Sequence, residues 1–599
     1  MLLWAQRQKK EWIIKPPDNR CDELARSLKV SPLIAQVLIN RGITNSELGN
    51  AFLRPRLTEL IEPERMPGIK NAVERIKKAL KNREKITIYG DYDVDGITSV
   101  SILWQVLRLL GGDADYYIPH RIDEGYGLNI EAIESLAKSG TKLLITVDCG
   151  ITAFESAELA EKLGIELIIT DHHQIIEQEN DNSHSLPHAC AIVHPSLDNS
   201  YPNQDSAGSM VAFKLAWAIA NEFSSGVRLQ PQIREFMLSA TSLAAMGTIA
   251  DIVDLRGENR ILTSFGLKAL PDSRLSGIQA LLETLGLTGQ KLDSFHIGFR
   301  LAPMLNAAGR MGHARLAVEL LTSESPTRSM QIAEYLKEQN EQRQKCERKI
   351  LKEACEIMVR RNMNHPDRKS IVLAGENWHI GVIGIVASRI VDKYHRPTIL
   401  LGLPSGQENA EAENAEQIIA QGSARSIPGF CMISGLKACS HLLNTFGGHK
   451  MAAGVTIESS KIEQFIEEFE AYAKVNLDEK DIISKLEIES VVPLSKFKLE
   501  TVKELQMLGP FGEGNPEPVF ATKGVRLASP PKRVGTNGDH LQLVISDNTA
   551  TLRGIGFRFG KYEKKLLERE FFDIAYQPQI NSFNGNTNVE FNLVDIQIE

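Results

Sequence analysis

Three short stretches, KITIYG (85–90), KLLITVD (142–148) and ELIITD (166–171), are β-branched and almost unbroken in hydrophobicity. Runs of this kind predict strands buried on both faces, because a strand with one wet face would alternate apolar and polar positions. Between them the period changes. Ile97, Val100, Leu103, Leu107 and Leu110 recur every three or four residues, and Phe154 to Leu163 repeats that spacing, so each marks an amphipathic helix. Strands alternating with helices predict an α/β fold around a parallel sheet.

The pattern shifts further along the chain. Residues 1–65 are polar and predict a helical N-terminal segment, with NRGITNSELGNAFLRP as its clearest part, and the α/β core follows over 66–325. From Met330 to Arg361 charged and amide residues dominate, which predicts an exposed helix connecting two domains, placed at 326–365. A second α/β unit is expected over 366–484, with strands SIVLAG and PTILLG around the helix GVIGIVASRIVDKY. Beyond 485 short alternating runs such as HLQLVISD and TLRGIGFRF, separated by GTNGD and NGNTN, predict a β domain over 485–599.

Each of the three early strands runs into an aspartate cluster: DYDVDG (91–96), VDCG (147–150) and DHH (171–173). In open parallel sheets ligands gather outside the carboxyl ends of the strands, where all three clusters would stand. A fourth candidate, Asp251 in GTIADIVDL, ends a long helical pattern. Oxygen donors with one or two imidazoles suit Mg²⁺ or Mn²⁺, whereas structural zinc favours cysteine-rich sites. Bringing Asp91, Asp93, Asp95, Asp148 and Asp251 together would create severe like-charge repulsion unless about two divalent cations offset it. Paired cations of that kind hydrolyse phosphate esters.

Composition narrows the field. The chain has 599 residues, 42% hydrophobic and 24% charged, enough for several domains with their own cores. No apolar run approaches the length of a membrane span, and MLLWAQRQKKEWII lacks the order of a signal peptide. Seven cysteines without a CxxC pair predict a reducing, cytoplasmic setting. A net charge of −8 runs against nucleic-acid binding. However, cations would neutralise the metal-site acids, and QENDNS (178–183) and QENAEAENAE (407–416) account for further charge in two solvated inserts.

DYDVDG, VDCG, DHH and GTIADIVDL, in that order, resemble the motifs of the DHH phosphoesterase superfamily. APMLNAAGRMGHA, WHIGVIGIVASRI, GSARSIPGF, GGHKMAAG and GPFGEGNPEPVF resemble its single-stranded-DNA exonucleases over the chain from about residue 60 onward. The resemblance implies a parallel-sheet DHH core, a second α/β DHH-associated domain joined to it by the long helix, and a C-terminal OB-like β-barrel. It also implies 5′ to 3′ hydrolysis of single-stranded DNA in repair and recombination, with two Mn²⁺ or Mg²⁺ ions. A helicase and a single-strand-binding protein are implied as partners, and no membrane.

Within that pattern Asp91 and Asp93 hold one ion, Asp95, His172 and Asp251 the other, and Asp148 bridges them, leaving His173 as phosphate contact or proton donor. Arg121, Arg310, Ser423, Arg425, Gly447, Gly448 and His449 are the implied phosphate contacts, with Gly422, Ser426 and Lys450 beside them. Lys532, Arg533, Arg553, Phe557 and Arg558 are candidates on the barrel. Met304 stands where relatives commonly carry arginine, which would remove a phosphate contact or shift it to Arg300. Three rival readings stay open: an oligoribonuclease, a cyclic-dinucleotide phosphodiesterase, and a non-catalytic replication scaffold.

Overall fold

A computed structural model describes residues 10–120, 124–125, 127–176, 185–224, 229–404, 418–583 and 585–598. Contacts divide the chain into two units. One comprises 18–340 with 503–517; the other comprises 341–502, 518–599 and the N-terminal stretch to Pro17.

The first unit is built on a five-stranded parallel sheet whose order across the sheet is Ala114–Tyr117, Ile86–Gly90, Leu143–Val147, Glu166–Thr170 and Ala191–Val193. Every residue of Ile86–Gly90 and of Leu143–Val147 is buried, so the unbroken apolar runs are explained by helices packing on both faces. The helix Val94–Leu109 follows the first of these strands, with Ile97, Val100, Leu103 and Leu107 in the core. Gly208–Glu222 and Pro231–Ala250 are also buried along most of their length.

A buried polar group ties the N-terminal helices to this core. The ammonium of Lys214 bonds the carboxylate of Glu258 and the carbonyl of Ile61, while Tyr201 donates to the other Glu258 oxygen. The Ile61 amide also donates to Glu258, at 2.8 Å. An ion pair this deep persists because each member is also hydrogen-bonded.

In the second unit the strands Ile371–Glu376 and Thr398–Leu403 run parallel, and Ile419–Arg425, Ala452–Glu458 and Leu443–Gly448 extend the sheet antiparallel. The C-terminal sheet closes into a barrel because Phe520–Val534 pairs with both His540–Ser546 and Phe572–Phe583. Most of its ladders are antiparallel, but Arg553 to Ile555 run parallel to Glu590 to Asn592. The long helix extends over Pro326–Arg360.

Two features depart from the local sequence pattern. Glu11–Ile14, within the stretch expected to be helical, is a strand paired in parallel with Lys485–Ile488, and the Trp12 indole donates to Asp595 at 2.8 Å. Its partner lies far along the chain, so local periodicity carries no trace of it. The stretch 503–517, within the expected β domain, groups instead with the first unit. Arg260 explains why. Its guanidinium lies 3.7 Å over the Phe52 ring and donates to the carbonyls of Phe52, Met507 and Gly509 at 2.8, 3.3 and 2.7 Å. Asn515, fully buried, donates to the carbonyls of Leu508 and Pro510 at 2.8 and 2.7 Å.

Replacing Asn515 by leucine would leave both carbonyls buried without that donor, and stability should fall by about 2–4 kcal/mol. The shift in denaturant midpoint at unchanged slope measures this. A change below about 0.5 kcal/mol would show that the amide does not anchor the segment.

Candidate metal centre

Gly90, Val147 and Thr170 are side by side in the parallel ladder, so the residues that follow them, Asp91, Asp148 and Asp171, leave the sheet at one edge. Asp93 caps the helix Val94–Leu109, accepting from the amides of Asp95 and Gly96 at 2.9 and 3.2 Å. The next amide, that of Val94, donates to Asn306 at 3.1 Å, which pins the loop from a second helix, Ala302–Arg310. Asp148 has φ 59, an unusual backbone for a non-glycine residue and a form of strain that gathers at functional sites.

Asp95 lies at the N-terminus of the helix Gly208–Glu222, accepting from Gly208 at 2.6 Å and Ser209 at 2.9 Å. The helix dipole favours a carboxylate there. Space is short around it. A Cβ at Gly247 would come within 2.4 Å of Asp95 Oδ1, and one at Gly208 within 2.8 Å of the Asp148 Cβ. Both positions need glycine because a carboxylate occupies the side-chain volume. In the sequence Gly208 lies in AGSM, outside any motif, and Gly247 opens the motif GTIADIVDL without any local sign that it must make room for a carboxylate.

The clusters converge. Donor atoms of Asp91, Asp93 and Asp148 lie within 4.8 Å of one another, as do those of Asp95, His172 and Asp251, and those of Asp148, His172 and His173. His172 Nε2 is 3.0 Å from Asp148, 3.7 Å from Asp251 and 3.8 Å from Asp95. Burial, then repulsion from neighbouring aspartates, raises the Asp93 carboxyl and raises Asp148 well above the usual range. The same causes push Asp251 up to about 9. Burial lowers His172, favouring the neutral imidazole. Acids crowded until they resist ionisation, beside a neutral imidazole, suit divalent cations whose charge reverses that penalty. The described residues therefore fit a pair of hard cations.

Asp251 ends the helix Pro231–Ala250 and is followed by Ile252, a β-branched residue at φ 64. Such a turn is strained and needs outside support. The 503–517 stretch provides it: Leu255 donates to the Glu513 carbonyl at 2.9 Å and Arg256 to that of Gly514 at 2.8 Å. Gly514, at φ 66, leaves no room for a Cβ against the Asp254 carboxylate.

His173 has its own support, which the motif alone did not assign. Its Nδ1 is 2.7 Å from Asp171 Oδ1, and that carboxylate also accepts from the amides of His172, His173 and Ile151. Burial works against both charges. Even so, the mutual hydrogen bond holds Asp171 at about 2 and lifts His173 to about 9. His194 steadies the loop from the next strand: its Nδ1 accepts from the Ser196 amide at 3.0 Å, so its Nε2 donates to the His173 carbonyl at 2.8 Å. Position in the DHH triplet could have flagged Asp171; nothing local flagged His194.

Other expected contacts divide between the units. In the catalytic unit Arg310 follows Gly309, whose position would bring a Cβ within 2.5 Å of the Tyr92 carbonyl, so the arginine sits next to the DYDVDG loop. Arg121 and both acidic inserts lie outside the described residues. Met304 is fully buried in the apolar core, and Arg300, exposed, donates to the Leu285 carbonyl at 2.9 Å.

In the other unit the ladder aligns Gly447 with Gly454 and Gly454 with Ser423, which brings both glycine-rich segments onto adjoining strands. Arg425 donates to Ser423 at 3.1 Å, and both approach the helix Ile380–Tyr394 at Gly384. His449 follows Gly448 and its amide donates to Ala452 at 2.7 Å. On the barrel Lys532, Arg533, Arg553, Phe557 and Arg558 are all exposed, with the Phe557 ring edge-on to His540.

Comparison with known proteins agrees with this architecture. A family model described as the DHH family, N-terminal domain, matches residues 85–241; the DHHA1 domain matches 367–475 and the RecJ OB domain 488–595. The single-stranded-DNA-specific exonuclease RecJ of Bacillus subtilis is 35% identical over 98% of this chain and 71% of its own length. That of Haemophilus influenzae is 32% identical over 96% and 97%. The crystal structure of RecJ from Thermus thermophilus in complex with Mn²⁺ superposes with a TM-score of 0.80 at 30% identity, covering 98% of this chain and 80% of that one. A Mg²⁺ complex from the same organism gives 0.75 at 29% identity, over 98% and 78%. Similarity at this level, over nearly the whole length and across all three domain models, places the chain in the RecJ family.

Proposed function

We propose that this chain is a metal-dependent exonuclease that hydrolyses single-stranded DNA from its 5′ end, acting in repair and recombination. The observation that carries the reading is the convergence of the strand-end aspartates Asp91 and Asp148 with Asp93, Asp95, Asp251 and His172 in overlapping groups whose donor atoms lie within 4.8 Å of one another. Relatives named as single-stranded-DNA-specific exonucleases, and relatives crystallised with Mn²⁺ or Mg²⁺, support it. A non-catalytic scaffold would have no use for this donor set.

In this reading Asp91 and Asp93 would hold one cation and Asp95, His172 and Asp251 the second, with Asp148 shared between the two. Such a pair, when bound, would supply a nucleophile at neutral pH and offset the charge of an in-line displacement. The rest is done by the chain. Water oxygen joins phosphorus, the bond from phosphorus to the 3′ oxygen breaks, and His173, held charged by Asp171, donates from Nε2 to the phosphate or to the leaving oxygen. Arg121 and Arg310 hold the strand. Amides around Gly447 and Gly448, with His449, Ser423 and Arg425, cradle phosphate. The exposed bases and Phe557 of the barrel retain the strand beyond the cut. A helicase to supply tails, a single-strand-binding protein and a cytoplasmic setting, matching seven unpaired cysteines, complete the proposal.

Three DNAs of equal length test it: one with a 5′ tail, one with a 3′ tail and one blunt duplex. With Mn²⁺ or Mg²⁺ the 5′-tailed DNA should be degraded and the others should persist. Preferential loss of the 3′-tailed strand would overturn the polarity, and preference for RNA of two to five nucleotides would favour the oligoribonuclease.

Asp148→Ala should lower turnover by at least about a hundredfold with the fold intact, since both cation positions share that carboxylate. Near-normal rates at saturating Mn²⁺ would rule out the bridge.

His173→Ala should lower turnover by roughly 10²- to 10⁴-fold with little change in Mn²⁺ affinity, whereas His172→Ala should weaken Mn²⁺ binding first. Titration calorimetry with Mn²⁺ separates them, and equal affinities would remove the distinction.

A further inference from the structure

Phe295 and Phe299 are 59% and 69% exposed, and their rings stack at 4.8 Å between centroids with 26° between planes. Single exposed phenylalanines are ordinary on a protein surface, but a stacked exposed pair is a contiguous apolar face of the kind that marks a binding site. The helix beneath is otherwise conventional: Ile297 and Leu301, on its other side, are fully buried. The two rings are four residues apart across the junction of the short helix Ser294–His296 with the π-helical turn Ile297–Leu301, and such turns are frequent at functional sites.

The same helical run leads to the metal centre. It continues into Ala302–Arg310, where Asn306 holds the Val94 amide and Gly309 abuts Tyr92. Seven residues of helix separate Phe299 from Asn306, an axial rise of about 10 Å, or about three nucleotides at roughly 3.4 Å each. The surroundings suit an anionic strand. Lys291 and Arg300 flank the pair in sequence and are exposed, while of the two carboxylates close by, Asp293 is bonded to His296 at 2.6 Å and Glu517 is shifted towards its neutral form by burial and by the charge of Asp293. A Cβ placed at Gly298 would meet no other atom within 4 Å, so nothing crowds the face next to the rings.

We propose that Phe295 and Phe299 form a stacking platform for one or two unpaired bases of the substrate, about three nucleotides from the scissile phosphate. The inference rests on the nuclease reading above. Aromatic faces bind bases of any sequence. In a duplex each base is already stacked on its neighbours and paired at its edge, so only an unpaired strand can offer a free face, and the pair favours single strands without reading sequence.

The test uses the full-length chain with Phe295→Ala and Phe299→Ala combined, and a second variant with tyrosine at both positions. Thermal melting confirms that both retain the fold. On a 20-nucleotide strand the alanine variant should show KM raised about ten- to a hundredfold with kcat unchanged. The tyrosine variant should match the parent. A dinucleotide, too short to reach the rings, should be hydrolysed equally by all three. A 20-nucleotide strand lacking bases at its third to fifth positions should bind the parent as weakly as the intact strand binds the alanine variant.

Anisotropy in chelator measures binding without hydrolysis and separates the two readings. A parent that binds through the rings but never cuts would sink the nuclease and spare the platform. A parent that cuts, with KM unmoved in the alanine variant, would sink the platform alone. A shift in oligomeric state with strand affinity unchanged would make the pair an interface between copies of this chain and also overturn the proposal.

Discussion

Repulsion among buried carboxylates is the constraint around which the catalytic unit is arranged. Asp91, Asp148 and Asp171 reach one edge because Gly90, Val147 and Thr170 are in register. A one-residue slip in any strand would turn its aspartate away. Such a concentration of acid opposes folding until something offsets it. The amides of Gly208 and Ser209 do so for Asp95, and His173 does so for Asp171. Among the other acids, Asp93, Asp148 and Asp251 have their ionisation suppressed, and a pair of divalent cations would reverse that penalty.

Strain and support are paired around this edge. Asp148 and Ile252 both hold positive φ, and each flanks or carries a proposed ligand. The Asp251 turn is braced by Glu513 and Gly514 from a segment far along the chain, which Arg260 and Asn515 secure in turn. GPFGEGNPEPVF, which composition alone reads as a glycine-rich turn, therefore acts as part of the catalytic unit although it lies within the barrel's family match.

Carboxylates with identical chemistry in the sequence are given different tasks by their surroundings. Asp171 accepts so many hydrogen bonds that it stays ionised at about 2, fit to orient an imidazole, while Asp251, short of such donors, is pushed to about 9. The two histidines of DHH separate in the same way, His172 towards the neutral form and His173 towards the charged one. Adjacent residues in one motif thus acquire opposite proton behaviour from burial and partner alone.

The sequence by itself determined the parallel core, because strands covered on both faces must be continuously apolar, and it determined the edge on which the aspartates stand, because each cluster directly follows such a run. The closed barrel was legible as alternating runs between turn signals. Other features had no local trace. The strand Glu11–Ile14 pairs with Lys485–Ile488, His194 reaches the His173 carbonyl, and Gly208 and Gly247 make room for carboxylates from other elements. Met304, which occupies an expected phosphate-contact position, is core. Periodicity reports whether a residue faces water or the interior, which a chain encodes locally. Which distant amide, carbonyl or ring fills the space opposite it is settled by packing between segments, and only the tertiary structure decides that.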